Sequence, residues 1–357
     1  MWINNKIFKE DMEYIIHANF INWEKLNNKT IFITGATGLI GYYLTSSLVY
    51  KNIKENSNIK ILALVRNIEK AKLQFKEQLE IDDNFKFICG DLNNIPNISE
   101  EIDYIIHGAS PTTSKLFVEN PVEVIQSIVN GSQNILELAK SKNIQSMIYL
   151  SSMEVYGEYK TEEVLKEDSV LKLNPNNIRD CYPLGKALVE NISKAYFKEY
   201  EIPVNILRIS QTIGLKENVE LIKNRKIIQE IIYSILNKKD VVLATKGESK
   251  RTYIYIRDVI TAILVVLLSN KYGEIYNVAN EKTYDSIYNM INNVIENVAN
   301  NEINLLIKEE ETNKYPKTNY LKLLSQKLRK IGWSTSINTV EMFERIICLI
   351  MKERELK

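Results

Sequence analysis

The stretch Thr30-Ile31-Phe32-Ile33-Thr34-Gly35-Ala36-Thr37-Gly38-Leu39-Ile40-Gly41 restricts what this chain can fold into. A β-branched run, a glycine-punctuated turn and an amphipathic continuation to Tyr50 follow one another, which predicts strand, turn and helix in that order. Gly35 permits a tight turn, Gly38 lets backbone approach a pyrophosphate, and Gly41 allows the helix to pack closely on the strand. The helix N-terminus then faces phosphate oxygens with unpaired N–H groups. On this segment alone, a glycine-rich turn with a purely structural role is the alternative.

Apolar runs at 59–65, 85–88, 103–106, 147–150 and 204–208 alternate with helical patterns at 69–79, 121–140 and 182–199. That alternation predicts an α/β fold, a Rossmann-type doubly wound parallel sheet. Ligands of such sheets sit beyond the carboxyl ends of the strands, and several polar residues fall there. Arg66 ends the second strand, where arginine suits a 2′-phosphate and tilts the cofactor toward NADP; stacking on adenine and plain solvation are its other readings. Asp91 is set either to accept from an adenine amino group or to form a turn. His107 reads as a packed, hydrogen-bonded histidine. Small residues, Ala109 and Ser110 among them, follow where a cofactor would cross, and Ser151, Ser152 and Glu154 follow the fifth strand.

Tyr182 stands four residues before Lys186, one turn apart on one helical face, which makes a proton-handling pair. A free phenol has a pKa near ~10, and a neighbouring ammonium or an oxidised nicotinamide lowers it. A packed tyrosine beside a solvated lysine is the plain alternative.

From about residue 211 the strict alternation ends. Helices at 222–236, 258–269, 285–298, 319–331 and 338–350, with strands near 241–244, 252–256, 274–278 and 303–307, predict a smaller mixed α/β substrate lobe. The expected organisation is a helical extension over 1–28, a dinucleotide-binding domain over 29–210 and the lobe over 211–357, with some crossing between lobes. Residues 246–253 form a basic, hydroxyl-rich turn that suits a diphosphate or is simply solvated.

A formal charge of +1, from 46 basic and 45 acidic residues, advertises neither a nucleic-acid nor a membrane surface. Three scattered cysteines and two histidines argue against a disulfide scaffold or a metal site and for a reducing compartment. The first six residues lack a signal-like apolar core, and the apolar run at 259–268 is half the length of a membrane span. A cytoplasmic protein without metal is expected.

Thr-Gly-Ala-Thr-Gly-Leu-Ile-Gly (34–41), Ser-Ser-Met-Glu-Val-Tyr-Gly (151–157) and Arg-Asp-Cys-Tyr-Pro-Leu-Gly-Lys (179–186), in that order, resemble the extended short-chain dehydrogenase/reductases, in particular the nucleotide-sugar epimerase/dehydratase/decarboxylase family. The likeness continues through 208–214, 247–258 and the closing Ile-Gly-Trp at 331–333. It implies an enzyme in which Ser152 steers a sugar hydroxyl, the Tyr182 oxygen takes its proton, and Lys186 holds the nicotinamide ribose. The cofactor, NAD or NADP, would lie on Gly35, Thr37, Gly38, Leu39, Ile40, Gly41, Arg66, Asp91, Leu92, Ala109, Ser110, Tyr182 and Lys186. A nucleotide-diphospho-sugar would meet Thr112, Ser152, Met153, Gln211 and Arg251, with Gln211 standing where many relatives carry asparagine.

Glu154 matches the glutamate of dehydratases and of the uridine-diphosphate-glucuronate decarboxylases, whereas Met153 replaces the acid of the dTDP-glucose 4,6-dehydratases. Arg66 departs from the decarboxylases, which usually carry an acidic residue there. The resemblance thus implies a transient 4-keto sugar followed by epimerisation or decarboxylation, in surface-polysaccharide precursor synthesis by a homodimer paired through helices near 121–140 and 182–199. The other readings are 4,6-dehydration, a net dehydrogenase or reductase, and a non-catalytic dinucleotide sensor or scaffold.

Overall fold

The computed structural model of the chain describes residues 5–216, 222, 225–309 and 318–355. Residues 1–4, which open the stretch read as lacking a signal core, and 223–224, within the helix predicted over 222–236, lie outside them.

Helix α1 (Lys6–Ile16) precedes β1 (Thr30–Thr34), α2 (Leu39–Glu55) and β2 (Lys60–Val65). The short α3 (Ile68–Gln74) and α4 (Lys76–Ile81) lead to β3 (Phe85–Cys89) and β4 (Tyr104–His107). They replace the single helix predicted over 69–79, which breaks at Phe75 (φ −109°, ψ 23°) because that ring is buried against Tyr42 and Phe85. Next come α5 (Leu116–Glu119), α6 (Pro121–Lys142), β5 (Ser146–Ser152), β6 (Val164–Leu165), α7 (Cys181–Tyr200) and β7 (Val204–Ile209).

The second half holds β8 (Gln211–Ile213), α8 (Ile227–Leu236), β9 (Val241–Leu243), β10 (Lys250–Arg251) and β11 (Tyr253–Tyr255). After α9 (Ile256–Leu267) and β12 (Ile275–Val278) come β13 (Asp285–Ser286), α10 (Ile287–Asn297), β14 (Leu305–Ile307), β15 (Tyr320–Leu323), α11 (Gln326–Arg329) and α12 (Thr339–Glu355).

Seven strands form one parallel sheet in the order β12-β7-β5-β4-β1-β2-β3. Every residue of β1 and β7 is buried, as expected for strands covered on both faces. The winding direction reverses between β1 and β4, so a crevice opens where Thr34 and His107 end their strands. Helices α1, α2, α9 and α12 cover one face and α6 and α7 the other. The buried stripe of α6 (Val124, Ile128, Gly131, Ser132, Ile135, Leu136, Ala139) keeps the three- and four-residue spacing of one helical face.

Residue 210 is not a clean lobe boundary, because β12 completes the main sheet and α9 is buried along its whole length. Three smaller sheets, β13-β10-β15-β6, β11-β8 and β14-β9, stand apart from the main one among the described residues. The helix predicted over 319–331 is instead β15 followed by the four-residue α11. Leu321 and Leu323 are buried while Tyr320 and Lys322 are only half so, a period of two that suits a strand pairing with β10 and β6.

Candidate active site

The first turn of α2 is shaped for a dinucleotide phosphate. Gly35 has φ +77°, and a Cβ there would lie 2.7 Å from the Ala109 nitrogen; one on Gly41 would lie 2.2 Å from the Gly35 carbonyl oxygen. Gly38 caps α2 with extended backbone and no side-chain bond, which leaves the N–H groups of Leu39, Ile40 and Gly41 without intrahelical partners. Backbone donors at a helix start, with no side chain in the way, fit a diphosphate.

Around this cradle the other predicted cofactor residues differ in standing. Arg66 is exposed just beyond β2, Ala109 donates its N–H to Thr34 Oγ1 at 3.2 Å, and Ser110 follows it. The Thr37 carbonyl accepts from Gln74, and Leu92 packs against Gly131 of α6. Asp91 forms a turn, one carboxylate oxygen accepting from the Asn93 and Asn94 nitrogens at 2.7 and 3.1 Å. His107 is buried between Thr34 Oγ1 and Ser132 Oγ at 2.7 and 2.9 Å, and burial pulls its pKa down to about 3, as a packed neutral histidine requires.

Ser152 ends β5, and its Oγ accepts from the Glu154 nitrogen at 3.2 Å, starting a single 3-10 turn over Met153–Tyr156. In that turn Met153, Val155 and Tyr156 are buried and Glu154 is exposed. Met153, 3% exposed, enters an apolar cluster with Val155, Tyr156 and Leu321, so packing rather than substrate contact claims its side chain. Glu154 faces the cleft, where water reaches it although protein groups surround it closely. That enclosure raises its carboxyl, while Arg251, Arg179 and Lys226, in falling order, pull it back down.

Tyr182, Lys186 and Glu190 form one buried stripe of α7 at four-residue spacing. The Phe117 ring stacks on Tyr182 at 4.7 Å and 10°. Burial and then the Glu154 carboxylate push the Tyr182 phenol well up, and a hydrogen bond with Ser152 opposes them. Lys186, 3% exposed, donates to the Leu150 carbonyl at 2.8 Å. Burial pulls its pKa down to about 7, against the pull of Glu190. The two shifts share a cause, since each charged form loses water. Glu190 in turn meets Arg208 at 2.7 Å and accepts from Ser151 Oγ at 2.6 Å.

Across the cleft, Arg251 Nη1 lies 3.5 Å from Gln211 Oε1, and its Nε is buried without a partner. Lys226 at the start of α8 donates to the Thr112 carbonyl at 3.0 Å. Two open surface pockets, about 540 Å³ beside Tyr284 and Glu341 and about 340 Å³ beside Lys25 and Tyr104, lie away from these groups. The side chains with shifted pKa values, Glu154, Tyr182 and Lys186, lie elsewhere, at the ends of β5 and α7.

Sequence reasoning missed Phe117, Tyr149, Arg179, Glu190, Arg208 and Lys226. Glu190 carried a linear signal, one turn beyond Lys186, and Arg179 and Arg208 stand within the stretches 179–186 and 208–214 without a role assigned to them; the rest reach the site from other elements.

Residues 31–279 match the model of the NAD dependent epimerase/dehydratase family, and the chain belongs to that family. It is 29% identical over 275 residues to dTDP-D-glucose 4,6-dehydratase of Dictyostelium discoideum, covering 73% of this chain and 60% of that protein. It is 25% identical over 331 residues to UDP-glucuronic acid decarboxylase 1 of Xenopus tropicalis, covering 92% and 74%. The chain thus spans less than two thirds of the Dictyostelium protein. The fold is also that of UDP-glucuronic acid 4-epimerase from Bacillus cereus, solved with UDP-glucuronic acid and NAD: TM-score 0.72, 20% identity, 91% of this chain and 99% of that one. Among the described residues no helix is long and apolar enough to cross a membrane.

Proposed function

We propose that this enzyme oxidises a nucleotide-diphospho-sugar transiently at C4 and then decarboxylates or epimerises the 4-keto sugar, with a 6-carboxylate sugar as the favoured class. The observation that carries this reading is Glu154, facing the cleft near Ser152 with Arg179, Lys226 and Arg251 acting on it. A carboxylate among three cations suits a substrate that brings its own carboxylate: the cations hold the acid, and Glu154 removes an α-proton or holds the ring. UDP-glucuronic acid figures in the names of the Xenopus and Bacillus relatives, which supports the same choice.

In this reading Ser152 orients the C4 hydroxyl, and the Tyr182 oxygen receives its proton. Lys186 supplies positive charge beside the phenol, and Arg251, with its free Nε, takes a diphosphate oxygen. An oxidised nicotinamide, when bound, would supply a second positive charge and the hydride-accepting chemistry. Arg66 supports NADP over NAD through a 2′-phosphate; a loss of NADP affinity without loss of NAD affinity in Arg66→Ala tests this. Dimer formation through α6 and α7 is supported by exposed Val122, Ile125 and Leu188 along those helices. A cytoplasmic place in surface-glycan precursor synthesis completes the reading.

4,6-Dehydration is the second reading, favoured by the Dictyostelium relative's name. It needs an acid for the departing 6-hydroxyl, and Met153 offers none. Incubation with UDP-glucuronic acid, UDP-glucose and dTDP-glucose, read by mass spectrometry and proton NMR, tests both. Loss of carbon dioxide, or an unchanged mass with a new spectrum, from the uronate supports the first reading. Loss of water from a neutral sugar, with the uronate inert, overturns it in favour of the second.

A further inference from the structure

Lys186 is a buried cation with little to compensate it. One N–H goes to the Leu150 carbonyl. Glu190, one turn along α7, is already engaged by the Arg208 guanidinium through Nε at 3.1 Å and Nη2 at 2.7 Å, and by Ser151 Oγ. What lies across from the ammonium is the Tyr149 ring of β5, with Nζ 4.7 Å from its centroid; the Tyr182 ring is farther, at 5.9 Å. A desolvated ammonium over an aromatic face gains electrostatic stabilisation from the ring quadrupole.

The Tyr149 ring is held firmly. It is buried and stacked on His107 at 5.7 Å and 29°. His107 is pinned by Thr34 on β1 and Ser132 on α6, and Thr34 Oγ1 also takes the Ala109 N–H from the loop beside the dinucleotide cradle. His107 stays neutral, so it adds no positive charge next to Lys186. The groups facing Lys186 are therefore Tyr182 and Glu190 on α7, Tyr149 on β5 and neutral His107 on β4, with Arg208 of β7 behind Glu190.

We propose that Tyr149 is a positioning residue for Lys186: its ring, locked from behind by His107, is the platform that keeps the ammonium charged and aimed along α7 at Tyr182. Tyr149 acts through Lys186 and touches no reacting atom. The inference rests on the assignment of Lys186 as the partner of Tyr182.

The test is the titration of Lys186 in the full-length protein, followed by 13C NMR of lysine Cε with the signal assigned by its loss in Lys186→Arg. Tyr149→Leu removes the ring and lowers the Lys186 pKa by about one unit, a tenfold change in proton affinity. Tyr149→Phe keeps the ring and restores the wild-type value. Should Tyr149→Leu fail to fold, fluorinated phenylalanines at 149 keep the volume while weakening the ring face, and the Lys186 pKa falls stepwise with fluorine count. An unmoved titration in folded Tyr149→Leu, a drop in Tyr149→Phe as large as in Tyr149→Leu, or a flat response to fluorination overturns the proposal. None of these readings depends on turnover, so they remain distinct from failure of the proposed reaction.

Discussion

Tyr182 and Lys186 are each buried against the charge that their chemistry demands, the phenol pushed up and the ammonium down. The proposed proton transfer thus depends on added positive charge in the cleft. Tyr182→Phe removes the acceptor while keeping the ring against Phe117, so turnover falls about 10²–10⁴-fold with cofactor affinity retained. Stopped-flow absorbance of the nicotinamide and a binding titration check both halves; turnover at the wild-type rate sinks the role. Lys186 also imposes a sign on stability. Its folded pKa of about 7 lies below the ~10.4 of an unfolded lysine, so between those values the unfolded chain binds more protons and stability rises with pH. The gain in urea midpoint from pH 7 to pH 9 is therefore larger in the wild type than in Lys186→Met. Ser152, Tyr182 and Lys186 were legible in the sequence because fixed spacing maps directly onto one strand end and one helix face. Arg179 and Lys226 were not, because a single 3-10 turn over Ile178–Asp180 and the cap of α8 bring them to Glu154, and neither is long enough to show a period.

At the scale of elements, the β1-turn-α2 unit carries the cofactor argument. A methyl at Gly41 would collide with the Gly35 carbonyl at 2.2 Å, and backbone cannot swing aside as a flexible side chain can. Gly41→Ala therefore pushes α2 off β1 and moves its free N–H groups from the phosphate position. We expect NAD affinity to fall roughly tenfold or more, about 1.4 kcal/mol or above, by isothermal titration. Wild-type affinity in that variant would remove the cradle from the reading. This unit was legible because strand, glycine turn and helix each leave a local pattern. So were β2, β4, β5 and β7 of the main sheet, since strands covered on both faces read as largely apolar runs. The second lobe was less so. Two-residue strands such as β6, β10 and β13 are too short to show a period, and leucines in β15 resemble a helix until their partners are known.

The molecule as a whole is closed by a contact that no local pattern announces. Asp11 of α1, fully buried, accepts from Tyr255 at 2.7 Å and from Arg345 of α12, 334 residues away in sequence, at 2.8 Å, with Arg257 of α9 at 3.7 Å. Both ends of the described chain are thereby tied to the helix that backs the main sheet. Sequence alone shows α1 as an amphipathic stripe; only the folded chain gives its one buried carboxylate a partner. Burial raises the Asp11 carboxyl despite Arg345, and a folded pKa above the unfolded value means that its contribution to stability falls as pH rises through that window. Breaking it by halves is nevertheless worse than keeping it. Asp11→Ala removes the buried carboxylate shared by Arg345 and Arg257, leaving Arg345 to Glu10 at 3.3 Å and Arg257 to Asp258 at 3.7 Å, and is expected to cost about 1–3 kcal/mol in urea denaturation. Asp11→Leu combined with Arg345→Met removes both charges and recovers most of that loss. Equal losses in the single and double variants would show that α1 is held by its apolar face, through Phe8, Met12 and Ile15, and that the ion pair adds nothing to the closure.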